Sequence, residues 1–543
     1  MLKKIVAFIF IVVMAVTSIT GCARRGSISG GLKDTIPPVM VGSSPKNMTT
    51  DFKGKQIRID FNEYIKVKDI NKQLIISPPM DYAPDIYPMG SASRYIDIKI
   101  KDTLKPNTTY SFNFGQSITD NNEGNPYSQF KFIFSTGSYI DSLAVGGMIK
   151  DAYSRKADNF VTVMLYEANE TYTDSTIYKE KPRYVTNTLD SLTNFTLENL
   201  KEGKYYIFAL KDKGNNYVYN PKSDKIAFLK EPINVPNDSL ILYQLSLFKE
   251  QLPLKPLKPS QISSNRLVMG YEGDPRTLKA KVKNGTGTQD IPSVLTNLSG
   301  KDSVQVWLPR NIEQDSVQVS VNYRDTIKDF VVKIKEMKAA DSLSITAVQK
   351  GGLHFRQRFT LNTSTPIVTI DTTKISLINK DLVAVKINSV IYNTFEQKLE
   401  IDFPKEESQK YNFTFLPGAL TDFYEKSNDT LTFNLSTRTY SDYGNLRVTL
   451  QNAKRFPLIL EVLNASEEVK ASYYSKGETN IVFDAVLPDQ YVLRVIYDDN
   501  GNGEWDSGNF LEKRQPEEVI YFPNEVQVRA NWDVDQPFNL GGG

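Results

Sequence analysis

Apolar and polar residues alternate along most of this chain with a period of two, and Gly, Pro, Asn and Asp interrupt the alternation at short intervals. That is the pattern of short strands with one buried face. It predicts strands over 57–61, 73–76, 95–100, 110–114 and 130–134, then over 146–149, 161–166, 195–200 and 205–210. Further on it predicts 266–271, 278–282, 304–308, 317–323 and 330–334. No long stretch carries apolar residues at helical spacing, so the fold class is all-β.

The pattern occurs twice. Residues 110–139 read YSFNFGQSITDNNEGNPYSQFKFIFSTGSY and residues 411–440 read YNFTFLPGALTDFYEKSNDTLTFNLSTRTY, with matching Tyr, Phe and Ser-Thr positions displaced by 301 (411 − 110). Both copies run aromatic strand, polar turn with Thr-Asp, second strand and Ser-Thr exit. The segments downstream of each copy recur too, since Leu200, Tyr205 and Asp212 find counterparts in Leu487, Tyr491 and Asp498. The expected architecture is therefore tandem β-sandwich modules in a duplicated arrangement.

Composition agrees. With 543 residues the chain exceeds a single core and should form several domains. Its 29 Tyr and 28 Phe favour strands. The net charge of +2 implies neither nucleic acid nor an acidic surface as partner.

Residues 1–22 read as a targeting segment: Lys3 and Lys4 precede an apolar run too short to span a bilayer, followed by Ile19-Thr20-Gly21-Cys22. That tetrapeptide resembles a bacterial lipobox. The resemblance implies cleavage before Cys22, lipidation of its thiol and stable attachment to a membrane through several acyl chains. Ala23 after the cysteine implies the outer membrane and leaves its face undecided. Cys22 is the only cysteine, so no disulfide or thiol metal site can form downstream.

A tether, 23–36, leads to a first module over 37–137. Pro37-Pro38-Val39, Ile59-Asp60-Phe61-Asn62-Glu63, the run from Leu104 to Tyr110 and FIFSTG at 132–137 resemble the bacterial Ig-like domain of surface-layer-protein type. Asn62 and Glu63 are expected to order a turn at a strand end. Residues 138–250, with aromatic strands around Glu202-Gly203, resemble a small prealbumin-like sandwich of the kind appended to carboxypeptidases; such domains support or connect. A Pro-rich run over 251–259 reads as a stiff spacer. Beyond it lie a third sandwich-like domain over 260–345, a second and divergent Ig-like copy over 346–437, and a second prealbumin-like copy over 438–543.

Candidate chemistry is sparse. A single histidine, His354, leaves no histidine-based triad or multi-histidine metal site. Asp498, Asn500, Asn502 and Asp506, with Gly503 between them, match the first nine places of an EF-hand-type loop, which makes calcium the one candidate cofactor. The alternative is a metal-free turn closed by side-chain-to-backbone bonds. Asp followed by Ser or Thr recurs, giving Thr103, Ser142, Ser191, Ser239, Ser303, Ser316, Ser342 and Thr430 as candidates for the O-glycosylation that this motif resembles in Bacteroidota; equally, such pairs begin strands after turns. The reading is a non-enzymatic outer-membrane lipoprotein, a rod of about five modules with protein partners in the envelope. A carbohydrate-binding lipoprotein, which should gather aromatics on one exposed face or loop rim, is the alternative. A carboxylate-based glycan hydrolase stands behind it.

Overall fold

The computed structural model describes residues 34–189, 193–237, 241–310, 312, 315–323, 326–337 and 341–541. Residues 1–33, which hold the expected signal segment and most of the expected tether, lie outside them. The chain divides into two compact units: the residues through Ser142 together with Asn199–Lys201, and Leu143–Glu198 together with Glu202–Gly543.

The first unit is a sandwich. One sheet runs Met40–Ser44, Gln56–Val67, Ser93–Lys99, Asp85–Tyr87, with Ile118–Asp120 also paired to Gln56–Val67. The other runs Ile75–Ser77, Thr109–Asn113, Lys131–Ser135. Alternation puts Ile57, Ile59, Phe61, Ile65 and Val67 of the long strand on the inner face, against Phe112, Phe114, Phe132 and Phe134. The strand expected over 73–76 starts only at Ile75, because residues 70–73 form one turn of helix. Asn62 and Glu63 lie inside the long strand, not at its end. The Asn62 side chain accepts the N–H of Val39 (2.8 Å), pinning the segment after Pro37-Pro38.

The second unit holds four sandwiches. In the first, Tyr184–Asn187, Thr162–Glu167, Gly203–Lys211 and Lys225–Phe228 form one sheet; Asn194–Leu200, Leu143–Asp151 and Leu242–Leu247 form the other, its last pair parallel. The last sandwich repeats this order. Val469–Ser475, Leu458–Leu463, Asp489–Tyr497 and Val519–Tyr521 face Asn480–Val486, Gly444–Gln451 and Asp533–Asn539, again with one parallel pair. The sandwich over residues 345–436 likewise repeats the strand order of the first unit, with Ile375–Ile378, Lys410–Phe415 and Leu431–Ser436 as its three-stranded sheet.

The Pro-rich run is not a free spacer. Lys255–Pro256 pairs antiparallel with Glu272 and Tyr271 at the edge of the intervening sandwich, and Leu254 is buried in its core. Proline is tolerated there because an edge strand can leave its missing N–H facing outward. Nor is the second unit a string in which only neighbours touch, because its first and last sandwiches are in direct contact. The Trp505 ring of the last lies 4.7 Å from that of Tyr153 in the first.

Candidate functional site

The contact between these two sandwiches is built around the loop that carries the calcium candidates. Strand Asp489–Tyr497 is followed by Asp498, whose carboxylate is buried under the next turn. Its Oδ1 accepts the N–H groups of Gly501 (2.8 Å) and Asn502 (3.1 Å), and Oδ2 that of Gly503 (2.7 Å). Gly501 and Gly503 have φ of 75° and 81°, a left-handed conformation that glycine adopts without a Cβ penalty and that turns these N–H groups inward. Asn500 and Asn502 direct Nδ2 at one oxygen of Asp506, at 2.6 and 2.7 Å. The four residues singled out in the sequence thus converge, as a hydrogen-bonded turn. Calcium would require both amides to present oxygen instead. Among the described residues no group of three His, Cys, Asp or Glu side chains is placed to hold a metal ion.

Sequence reasoning missed the loop's second anchor, Glu517. Its two oxygens accept the N–H groups of Asp499 (2.7 Å) and Asp506 (2.9 Å), and burial pushes its carboxyl above the ordinary value. The first copy uses the same plan. Asp212 accepts from Asn216 and Tyr217, both at 2.8 Å, and Asp224 accepts the N–H of Lys213 (3.1 Å) as Glu517 accepts that of Asp499.

From this loop the segment 507–516 reaches into the other sandwich. The Phe510 ring is fully buried, 5.5 Å from Phe208 and 5.3 Å from Phe228. Its N–H donates to Glu250 (2.6 Å), which also accepts the Tyr219 hydroxyl (2.7 Å). Lys513 lies 4.0 Å over the Phe510 ring and pairs with Asp174 at 2.5 Å. Beside it, Arg494 is 1% exposed; it bonds Glu461 across the strands (2.7 Å), the Tyr521 hydroxyl (3.1 Å) and the Tyr153 hydroxyl (2.9 Å). Burial works against the Arg494 charge, but Glu461 and Tyr521 outweigh it and hold its pKa above the ordinary value. Burial also pushes the Tyr521 hydroxyl up to about 12.

The Thr-Asp turns of the repeated strand pattern are built on the same principle. Asp120 accepts four backbone N–H groups, from Asn122, Glu123, Gly124 and Asn125, at 2.7–2.9 Å. Asp422 accepts those of Tyr424 and Lys426 and the Thr365 hydroxyl.

The other candidates are dispersed. Cys22, Ser191 and Ser239 lie outside the described residues. Thr103, Ser142, Ser342 and Thr430 are exposed in connecting segments; Ser303 and Ser316 are half-buried at the first positions of Ser303–Trp307 and Ser316–Tyr323. His354 donates through Nε2 to the carbonyl of Ala485 (2.6 Å) and accepts the Arg356 N–H at Nδ1 (3.1 Å).

Residues 34–136 match the bacterial Ig-like domain family. The Ig-like domain therefore covers the sandwich of the first unit, while the repeated strand order over 345–436 lies outside the match. No curated protein shows a significant sequence match. Among solved structures the chain is similar to domains 1–6 of the surface layer protein SbsC, at 13% identity and TM-score 0.16, over 91% of this chain and 67% of that one. It is also similar to the Bacillus anthracis TIE protein, at 10% identity and TM-score 0.14, over 94% and 76%. A third is the Bacteroides ovatus protein SGBP-B, from a mixed-linkage glucan utilization locus and in complex with a mixed-linkage heptasaccharide, at 10% identity and TM-score 0.16, over 72% and 91%.

Proposed function

We propose that this chain is a non-catalytic lipoprotein of the outer membrane in a Bacteroidota-like bacterium, attached through lipid on Cys22 and acting as a structural or assembly subunit of the envelope. The observation that carries the reading is the lock between the first and last sandwiches of the second unit. Phe510, Arg494 and the two carboxylate-centred loops fix distant modules against each other, which is the property a scaffold needs. The carboxylates of the two Thr-Asp turns and of the candidate calcium loop support the same reading, since Asp120, Asp422 and Asp498 each accept backbone N–H groups and so hold turns. The Ig-like domain adds a module type suited to presenting surface.

The test is capture of the native full-length protein from detergent-solubilised envelopes after in-cell crosslinking. A subunit brings down envelope proteins in fixed stoichiometry; recovery of the protein alone after efficient crosslinking sinks the assembly role. Anchoring is tested separately. Cys22→Ala should move the protein out of the outer-membrane fraction, and unchanged outer-membrane partitioning of a processed form rules out lipidation.

A further inference from the structure

A cavity of about 460 Å³ opens at one end of the three-stranded sheet of the last sandwich, inside the volume range of small-molecule sites. Its floor is a row across three strands. Asn445 of the central strand accepts the N–H of Ala485 on one neighbour (3.0 Å) and donates to the Asp533 carboxylate on the other (2.7 Å). Asp484, Asn531 and Ser441 complete the polar lining. The Asp484 carboxylate takes no hydrogen bond from the described residues. Asn531 sits at φ 58°, a left-handed conformation that asparagine tolerates better than most residues.

One wall is aromatic. Tyr440 is 56% exposed, and one face of its ring is backed by Phe355 at 4.6 Å and 21° between planes, leaving the other face open. Tyr443 lies beneath, buried against Phe355 and His354. Trp532, between two lining residues, is 60% exposed.

We infer that this cavity is a subsite for a neutral, hydroxyl-rich glycan chain. A sugar ring presents an apolar C–H face and a rim of hydroxyls. The open face of Tyr440 fits the first, and Asp484, Asp533 and Asn531 fit the second as acceptors and donors in fixed positions, with Asn445 as the positioning residue that orients Asp533. A cationic ligand is the competing fit to two carboxylates. It is disfavoured because Arg356 already interacts electrostatically with Asp484 and donates to its carbonyl, and because the Asp533 carboxylate already accepts from Asn445. The inference goes beyond the scaffold role and does not depend on it, since the cavity lies away from the Phe510 contact in the fold of the same sandwich.

The test is native affinity electrophoresis of the detergent-solubilised full-length protein in gels containing mixed-linkage β-glucan, α-mannan or dextran, with penta-arginine binding measured in parallel. Retardation by at least one polysaccharide is expected, weakened about tenfold, the equivalent of about 1.4 kcal/mol, by Tyr440→Ala. Asp484→Asn, which keeps the side chain's shape on an exposed strand position, should weaken it as well at unchanged melting temperature. No retardation in any of the three gels overturns the assignment. So does retardation that both variants retain, or binding of penta-arginine without any polysaccharide.

Discussion

Phe510, on a loop of the last sandwich, packs edge-on against Phe208 of the sandwich that begins at Leu143, at 5.5 Å between ring centres and 80° between planes. The two rings lie 302 positions apart in the chain (510 − 208), so this contact fixes long-range geometry in a way no local pattern does. Phe510→Ala should cost about 3–5 kcal/mol, the usual range for emptying a buried aromatic site. It should also make the segment 498–517 a preferred site of limited proteolysis. Urea unfolding and a timed protease digest read both effects; a protected loop in a normally stable variant would show that the contact is incidental.

Asp120 is a buried carboxylate whose pKa is the outcome of opposed effects. Burial raises it, and four backbone N–H donors lower it by more. A depressed folded-state value means that the stabilisation is present above the ordinary value of 3.8 and is lost as pH falls through and below it. Asp120→Ala strands several donors and should cost about 2–4 kcal/mol. Asp120→Asn should cost less at neutral pH and should flatten acid unfolding of the first unit, measured by circular dichroism between about pH 5 and about pH 2.

The loop over 498–506 separates two outcomes by calorimetry. In the hydrogen-bonded geometry the Asp498 carboxylate already accepts three N–H groups, and Asp506 accepts two amide N–H groups. Millimolar calcium should therefore leave the melting temperature of the full-length protein unchanged. A calcium-dependent rise abolished by Asp498→Ala with Asp506→Ala would establish instead that the Asn500 and Asn502 amides turn to present oxygen to an ion.

How much of this was legible in the sequence depends on the range of the interactions. Strand alternation and the duplicated wording are local, and they foretold the all-β class and the repeated strand orders. The contact between distant sandwiches was not foretold, because Phe510 reads as an ordinary loop residue. Yet one signal was present. Arg494 interrupts the apolar run of Asp489–Tyr497, and Glu461 interrupts that of Leu458–Leu463. Opposite charges in two buried strands require pairing, and Glu461 and Arg494 are direct cross-strand partners. Glu517 was hidden for a different reason: its equivalent in the first copy is the shorter Asp224, at a different loop length, so no fixed offset reveals it.

His354, the only histidine of the chain, gives the last prediction. Burial lowers its pKa below the ordinary 6.5, the bond to the Ala485 carbonyl works the other way, and Arg356 and Lys405 add to the lowering. The geometry requires the neutral ring, because Nδ1 accepts an N–H while Nε2–H donates. In the unfolded chain the ring takes up a proton as pH falls through 6.5, whereas in the fold it resists until a lower pH. The unfolded state then binds more protons, so stability is full above the ordinary value and declines as pH falls below it. Glu63 and Glu517, whose carboxyls burial raises, act in the opposite direction and would partly mask the effect. The comparison with His354→Gln removes that ambiguity, because those carboxyls are common to both proteins. Melting temperatures recorded from about pH 7.5 to about pH 5.5 should fall more steeply for the native chain than for the variant. Parallel curves would mean that the ring takes up its proton as readily in the fold as in the unfolded chain, and so that the Arg356 N–H is not held at Nδ1.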